Sequence, residues 1–96
     1  MASSQDYLQY CIDQLSPLNV TYRKMMGEYL LYTDGTLWGG VYDDRLLLKM
    51  TPSNVDKGLG TAIPYEGAKP MYLLDPSDRE NLVQSVTYCL CDLCKN

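Results

Sequence analysis

Histidine is absent from this 96-residue chain, and so is phenylalanine. Without histidine the chain lacks the commonest general base and the commonest metal ligand, which removes triad hydrolysis and imidazole-based metal chemistry. No apolar run approaches the ~18 residues that a membrane-crossing helix needs. The start, Met1-Ala2-Ser3-Ser4-Gln5-Asp6, has neither the basic opening nor the apolar stretch of a secretion signal. A cytoplasmic protein with reduced thiols is therefore expected, with no membrane partner. Cations are scarce: eight Lys and Arg against twelve Asp and Glu give a net charge of −4. Polynucleotide binding depends on a basic surface that releases counterions from phosphates, so nucleic acid is a poor fit for this domain alone.

What is present is ordinary for a globular domain. Hydrophobic residues make up 46% and charged residues 21%, which speaks against disorder. The length suits one domain spanning residues 1–96 around one core. Nine tyrosines and one tryptophan carry the aromatic content. Four cysteines sit at Cys11, Cys89, Cys91 and Cys94. The last three read C-x-C-x-x-C, but structural zinc sites favour two separated pairs, and these spacings fan out around a helix. Small apolar filler on a terminal helix is the better reading, with no metal and no cofactor.

Periodicity assigns the elements. Leu8, Cys11, Ile12 and Leu15 form one stripe of a helix over residues 4–15, capped by Ser3 or Ser4 and ended by Ser16-Pro17. From Val20 to Met50 the pattern is strands and tight turns. Asp34-Gly35 between apolar runs is a strong type I′ hairpin signal, and Met26-Gly27 and Asp43-Asp44 turn the chain again. Thr51, Pro52 and Gly58 frame a short helix, residues 59–69 read as a loop, and Met71-Tyr72-Leu73-Leu74 is a strand. Ser77 and Glu80 match a capping box that opens a last helix with Leu82, Val83, Val86, Leu90 and Leu93 on its stripe. The expected fold is a two-layer α+β domain. Its antiparallel meander sheet of about five strands carries the terminal helices on one face, in the order α-β-β-β-β-α-β-α.

Two-residue turns also predict register. With Thr33 opposite Thr36, Leu31 faces Trp38 and Leu30 faces Gly39; with Tyr42 opposite Arg45, Val41 faces Leu46. Alternation then collects Leu30, Tyr32, Leu37, Val41, Leu46, Leu48 and Met50 on a core face. Tyr29, Leu31, Trp38, Tyr42, Arg45, Leu47 and Lys49 fall on the opposite face, which becomes the expected interaction surface. Gly39 and Gly40 lie mid-strand, making room for larger cross-strand neighbours rather than for a phosphate. Arg23 and Glu28 share a face beside the Met26-Gly27 turn and are expected to form a structural pair.

Several stretches are similar to one known domain. They are Tyr22-Arg23-Lys24-Met25-Met26-Gly27-Glu28-Tyr29, Leu31-Tyr32-Thr33-Asp34-Gly35, Tyr42-Asp43-Asp44-Arg45-Leu46 through Lys49, Gly67-Ala68-Lys69-Pro70-Met71, and Asp78-Arg79-Glu80. In order and spacing they resemble the N-terminal domain of the TfoX (Sxy) family of bacterial competence regulators. Met26 stands where that family often has an aromatic, and Leu30 where it often has glycine. The resemblance implies an α+β fold and a regulatory or protein-contact role, and carries over no catalytic, metal or cofactor residue.

The residues weigh the functions in the same direction. Catalysis lacks a histidine and any G-x-S-x-G elbow, and the adjacent Asp43 and Asp44 sit in a turn instead of converging in a cleft. A nucleic-acid-associated regulator is the alternative, using Lys24, Arg45 and Lys49 beside the sheet aromatics. Tyr, Trp, Met and Arg are types enriched where proteins meet. The expected partner is another protein or a second copy of this chain, as a homodimer.

Overall fold

The computed structural model describes residues 4–94. The chain runs α1 (Gln5–Gln14), β1 (Val20–Met25), β2 (Glu28–Thr33), β3 (Thr36–Val41), β4 (Leu46–Leu48), β5 (Gly60–Ala62), β6 (Met71–Leu74) and α2 (Arg79–Leu93). Short 3₁₀ turns occupy Ser16–Leu18 and Pro52–Lys57. The six strands form one antiparallel sheet in the order β1-β2-β3-β4-β6-β5. This is the α+β fold that the pattern of residues predicts, with one more strand. The addition is β5: three residues beginning with glycine carry too little apolar pattern to announce a strand, and pairing with β6 at the sheet edge makes them one.

The three tight turns follow the sequence closely. Positive φ occurs at Met26 (53°) and Gly27 (85°), at Asp34 (50°) and Gly35 (81°), and at Asp43 (53°) and Asp44 (54°). Two successive left-handed residues match the right-handed twist of the strands they join. Tyr42 and Arg45 close the last turn by exchanging backbone hydrogen bonds of 2.9 and 3.0 Å.

Both helices pack on one sheet face. Leu8, Cys11 and Leu15 of α1 and Leu82, Val86 and Cys89 of α2 share a core with Tyr29, Leu31, Trp38, Val41, Leu46, Leu48, Tyr72 and Leu74. Ser4 caps α1 through a 3.1 Å bond from the Tyr7 amide, and its own amide donates to Asp44 Oδ1 at 2.8 Å, tying the helix start to the β3–β4 turn. The cap of α2 differs from the expected box. Ser77 directs both its amide and its hydroxyl to Asp75 Oδ1, at 3.0 and 2.6 Å, so Asp78 becomes the N-cap residue. An aspartate two residues upstream captures the serine in a local turn before it can reach the helix. The buried stripe of α2 is Leu82, Ser85, Val86 and Cys89, with Val83, Leu90 and Leu93 at its margin.

Candidate functional site

The decisive feature is a β-bulge. Beyond the Asp34-Gly35 turn, Thr33 pairs with Thr36 and Tyr32 with Leu37; the register then shifts, so that Leu31 pairs with Gly39, Leu30 with Gly40 and Tyr29 with Val41. Trp38 is the extra residue. A bulge turns a side chain that strict alternation would send elsewhere, and here it directs the indole into the core. Trp38 is 0% exposed, and its Nε1 donates to Thr33 Oγ1 at 3.1 Å. Tyr29, Leu31 and Thr33 are buried on the same side. The expected face assignment is therefore inverted for β2 and the first half of β3. Trp38, Tyr29 and Leu31 are core residues, and they do not form an interaction surface. Leu30, Tyr32 and Leu37, expected in the core, lie half-buried on the opposite face.

The same displacement explains the glycine pair. A Cβ at Gly39 would lie 2.1 Å from the Leu47 carbonyl oxygen. At Gly40 it would lie 2.6 Å from the Tyr29 carbonyl oxygen and 2.8 Å from the Tyr42 ring. Neighbouring backbone, more than large cross-strand side chains, demands glycine here.

Past the bulge the β3–β4 register is as predicted, Gly39 with Leu48 and Val41 with Leu46. Tyr42, Arg45, Leu47 and Lys49 therefore do lie on the outer face, away from the helices. Leu47 sits between Gly40 and Leu73 of the neighbouring strands, but it is fully buried and offers no contact surface. On this side the loop 63–70 is folded back against the sheet. Arg45 holds it, donating from Nη2 to the carbonyls of Ile63 (3.2 Å) and Pro64 (3.4 Å) and from Nε to the Tyr42 carbonyl (3.2 Å). The Tyr42 and Tyr65 rings meet with centroids 6.4 Å apart. Burial, the Tyr65 phenol and the Glu28 carboxylate together raise the Tyr42 phenol above its ordinary pKa.

Between this loop and the sheet runs an open groove of about 480 Å³. Tyr42, Tyr65, Pro64, Met50 and Met71 give it apolar and aromatic walls, and Lys49 and Lys69 are its charged members. Met50, expected in the core, is 44% exposed at its rim. The sequence reading found Tyr42, Arg45 and Lys49 but missed the loop side. The cluster Pro64-Tyr65 followed by Lys69-Pro70-Met71 was the available signal, since aromatics and prolines in a loop need something to pack against.

The remaining candidates lie elsewhere in the fold. Arg23 pairs with Leu30 and Met25 with Glu28, so the predicted register around Arg23 and Glu28 holds. The Glu28 carboxylate accepts from the Asp43 amide at 2.8 Å, bracing the far turn. Cys11 of α1 and Cys89 of α2 are buried, while Cys91, on the opposite side of α2 from Cys89, and the C-cap residue Cys94 are exposed. Among the described residues no group of three His, Cys, Asp or Glu side chains is placed to hold a metal ion. Also among them, no helix is long and apolar enough to cross a membrane. A second cleft, about 430 Å³, lies between the start of α2 and the β5–β6 edge, with Asp75, Asp78 and Asn81 on its rim.

Fold and groove together define a small α+β domain whose sheet is helix-covered on one side and lined by a loop on the other. No family model matches the chain. It is 37% identical over 78 residues to the "Uncharacterized 12.7 kDa protein in trpE 5′ region" of Spirochaeta aurantia, a match covering 78% of this chain and 68% of that one. The chain belongs to the family of that spirochaete protein.

Proposed function

We propose that this is a small cytoplasmic regulatory or protein-interaction domain that works through the outer face of its sheet, in the way its resemblance to the TfoX N-terminal domain implies. One observation carries the reading. Among the described residues both helices pack on the Trp38 side, while the other side presents Tyr32 and Leu73 on the sheet and Tyr42, Tyr65 and Met71 along a groove, all half-buried or exposed. Tyr65 is 64% exposed and Leu73 38%. Large apolar side chains gathered beside a groove mark contact sites more often than idle surface. The reading is non-enzymatic. Asp43 and Asp44 serve a turn, and Asp44 is tied to the start of α1.

The test is affinity capture from extracts of the source cells, with sedimentation analysis alongside. A Tyr65→Ser, Leu73→Ser double variant should keep its fold, read as an unchanged far-UV spectrum and a cooperative melt at a modestly lower temperature. Tyr65 is mostly in water, and Leu73 is packed over more than half of its surface. It should lose the captured polypeptide or the self-association that the parent chain shows. An unchanged capture profile together with unchanged sedimentation would remove the outer face from consideration.

A further inference from the structure

The groove on the outer face has a charge opposite to that of the whole molecule. The chain carries a net −4, yet the groove's two charged lining residues are both lysines, Lys49 from the end of β4 and Lys69 from the loop before β6. Arg45, the third nearby cation, is committed to three backbone carbonyls and serves to fix the loop. The walls are pre-formed. The Tyr42–Arg45 backbone pair fixes one side. The Ala68 amide bonded to the Tyr65 carbonyl at 3.0 Å, with Gly67 at φ 88°, fixes the other. Pre-formed walls reduce the ordering cost of binding.

We propose that this groove takes a short acidic segment of a protein partner. Its carboxylates would meet Lys49 and Lys69, and an apolar or proline residue between them would lie against Tyr42, Tyr65 and Met71. This rests on the reading of the outer face as a contact surface and adds the chemistry of what meets it. A groove of about 480 Å³ falls within the size of sites that enclose a small ligand or a few side chains. Two lysines balance one or two carboxylates. They do not balance a polynucleotide, whose successive phosphates would meet the acidic remainder of the surface.

The experiment pans a displayed library of short random peptides against the full chain, and in parallel against a Lys49→Glu, Lys69→Glu double variant. Both lysine side chains reach solvent, so the variant should fold, and matching melting curves verify this. Against the parent chain the enriched peptides should carry an excess of Asp and Glu around an apolar or proline residue. Against the variant the excess should switch to Lys and Arg. A synthesised winner should bind the parent about tenfold or more tightly than the variant, with the gap shrinking at high salt. No enrichment, no acidic bias, or the same bias against both chains overturns the proposal. Tighter binding of a labelled oligouridylate than of the selected peptides overturns it too, and points to a polynucleotide. If the Tyr65, Leu73 double variant still loses its partner in extracts while the library shows no acidic bias, the contact face stands and its acidic ligand falls.

Discussion

Replacing Gly39 by alanine tests the bulge and the strand register together. The added Cβ would lie 2.1 Å from the Leu47 carbonyl oxygen and 3.2 Å from Leu48 Cα. A carbon normally approaches a carbonyl oxygen no closer than ~3.3 Å, so more than an ångström must come from moving backbone. Leu47 and Leu48 are held in the middle of the sheet, paired on one side with Gly40 and Gly39 and on the other with Leu73 and Tyr72. No flexible side chain is available to yield. Overpacking in a well-filled core costs ~1–3 kcal/mol, and a clash with central backbone puts this variant at the upper end. For a domain of this size each kcal/mol lowers Tm by roughly 4–8 °C, so a fall of roughly 12–24 °C is expected in a circular-dichroism melt. Gly60→Ala is the control, because its Cβ would meet nothing within 4 Å and its φ lies outside the left-handed region. That change should be neutral or stabilise by ~0.4–1 kcal/mol. Gly40→Ala should fall between the two, since one of its two obstacles is the Tyr42 ring, which can swing aside. If Gly39→Ala and Gly60→Ala melt together, β3 and β4 are not in this register and the inward turn of Trp38 loses its basis.

Thr33→Val keeps the volume but leaves the buried Trp38 Nε1 without its acceptor. It should cost ~1–3 kcal/mol in urea unfolding, and a value near zero would mean the indole is not enclosed. In the native state iodoacetamide should add quickly to Cys91 and Cys94 and spare the buried Cys11 and Cys89. Intact mass should therefore rise first by two adducts, and four adducts at one rate would contradict the packing of α1 and α2. Burial pushes the Cys11 thiol from 9.0 up to about 12, and the Tyr7 phenol beside it also rises to about 12. Both groups are neutral when protonated, and the unfolded chain releases the thiol proton near pH 9 while the folded chain holds it. Stability is thus complete below pH 9 and declines as pH climbs toward 12. The urea midpoint should follow that course, and Cys11→Ala should make the decline shallower, leaving the part that Tyr7 contributes.

Much of the fold was legible because local chemistry decided it. Asp34-Gly35 and Met26-Gly27 place a glycine where φ must be positive, and both turns formed where read. The stripe Leu8, Cys11, Leu15 is buried, and Ser4 caps its helix. What escaped was decided by competition or by distance. Ser77 had two partners within reach and took Asp75, a choice that turns on local backbone geometry. Gly60-Thr61-Ala62 is a strand because β6 offers an edge to pair with, and tertiary pairing of that kind leaves no period in three residues.

The site shows how one residue redistributes a surface. Period-two alternation counts residues, so a single insertion in β3 sends the predictions for β2 and the start of β3 to the wrong face and leaves those from Val41 to Lys49 in place. Tyr29, Leu31 and Trp38 were counted across the bulge through the Asp34-Gly35 hairpin, and they are core. Tyr42, Arg45 and Lys49 were counted from the Asp43-Asp44 turn, which lies past it, and they are on the outer face. The sequence carried a hint of the insertion. Strict alternation put Tyr29, Leu31 and Trp38 together in water, an apolar exposure that folding would avoid by burying the tryptophan. A glycine beside the tryptophan supplies the freedom to do so, because without a Cβ at Gly39 the backbone can bring the Leu47 carbonyl into the space a side chain would fill. Burying the indole hands the helices the Trp38 face. The other face is left to tyrosines, half-buried leucines and a tyrosine-bearing loop held by Arg45, and there the groove lies with its two lysines.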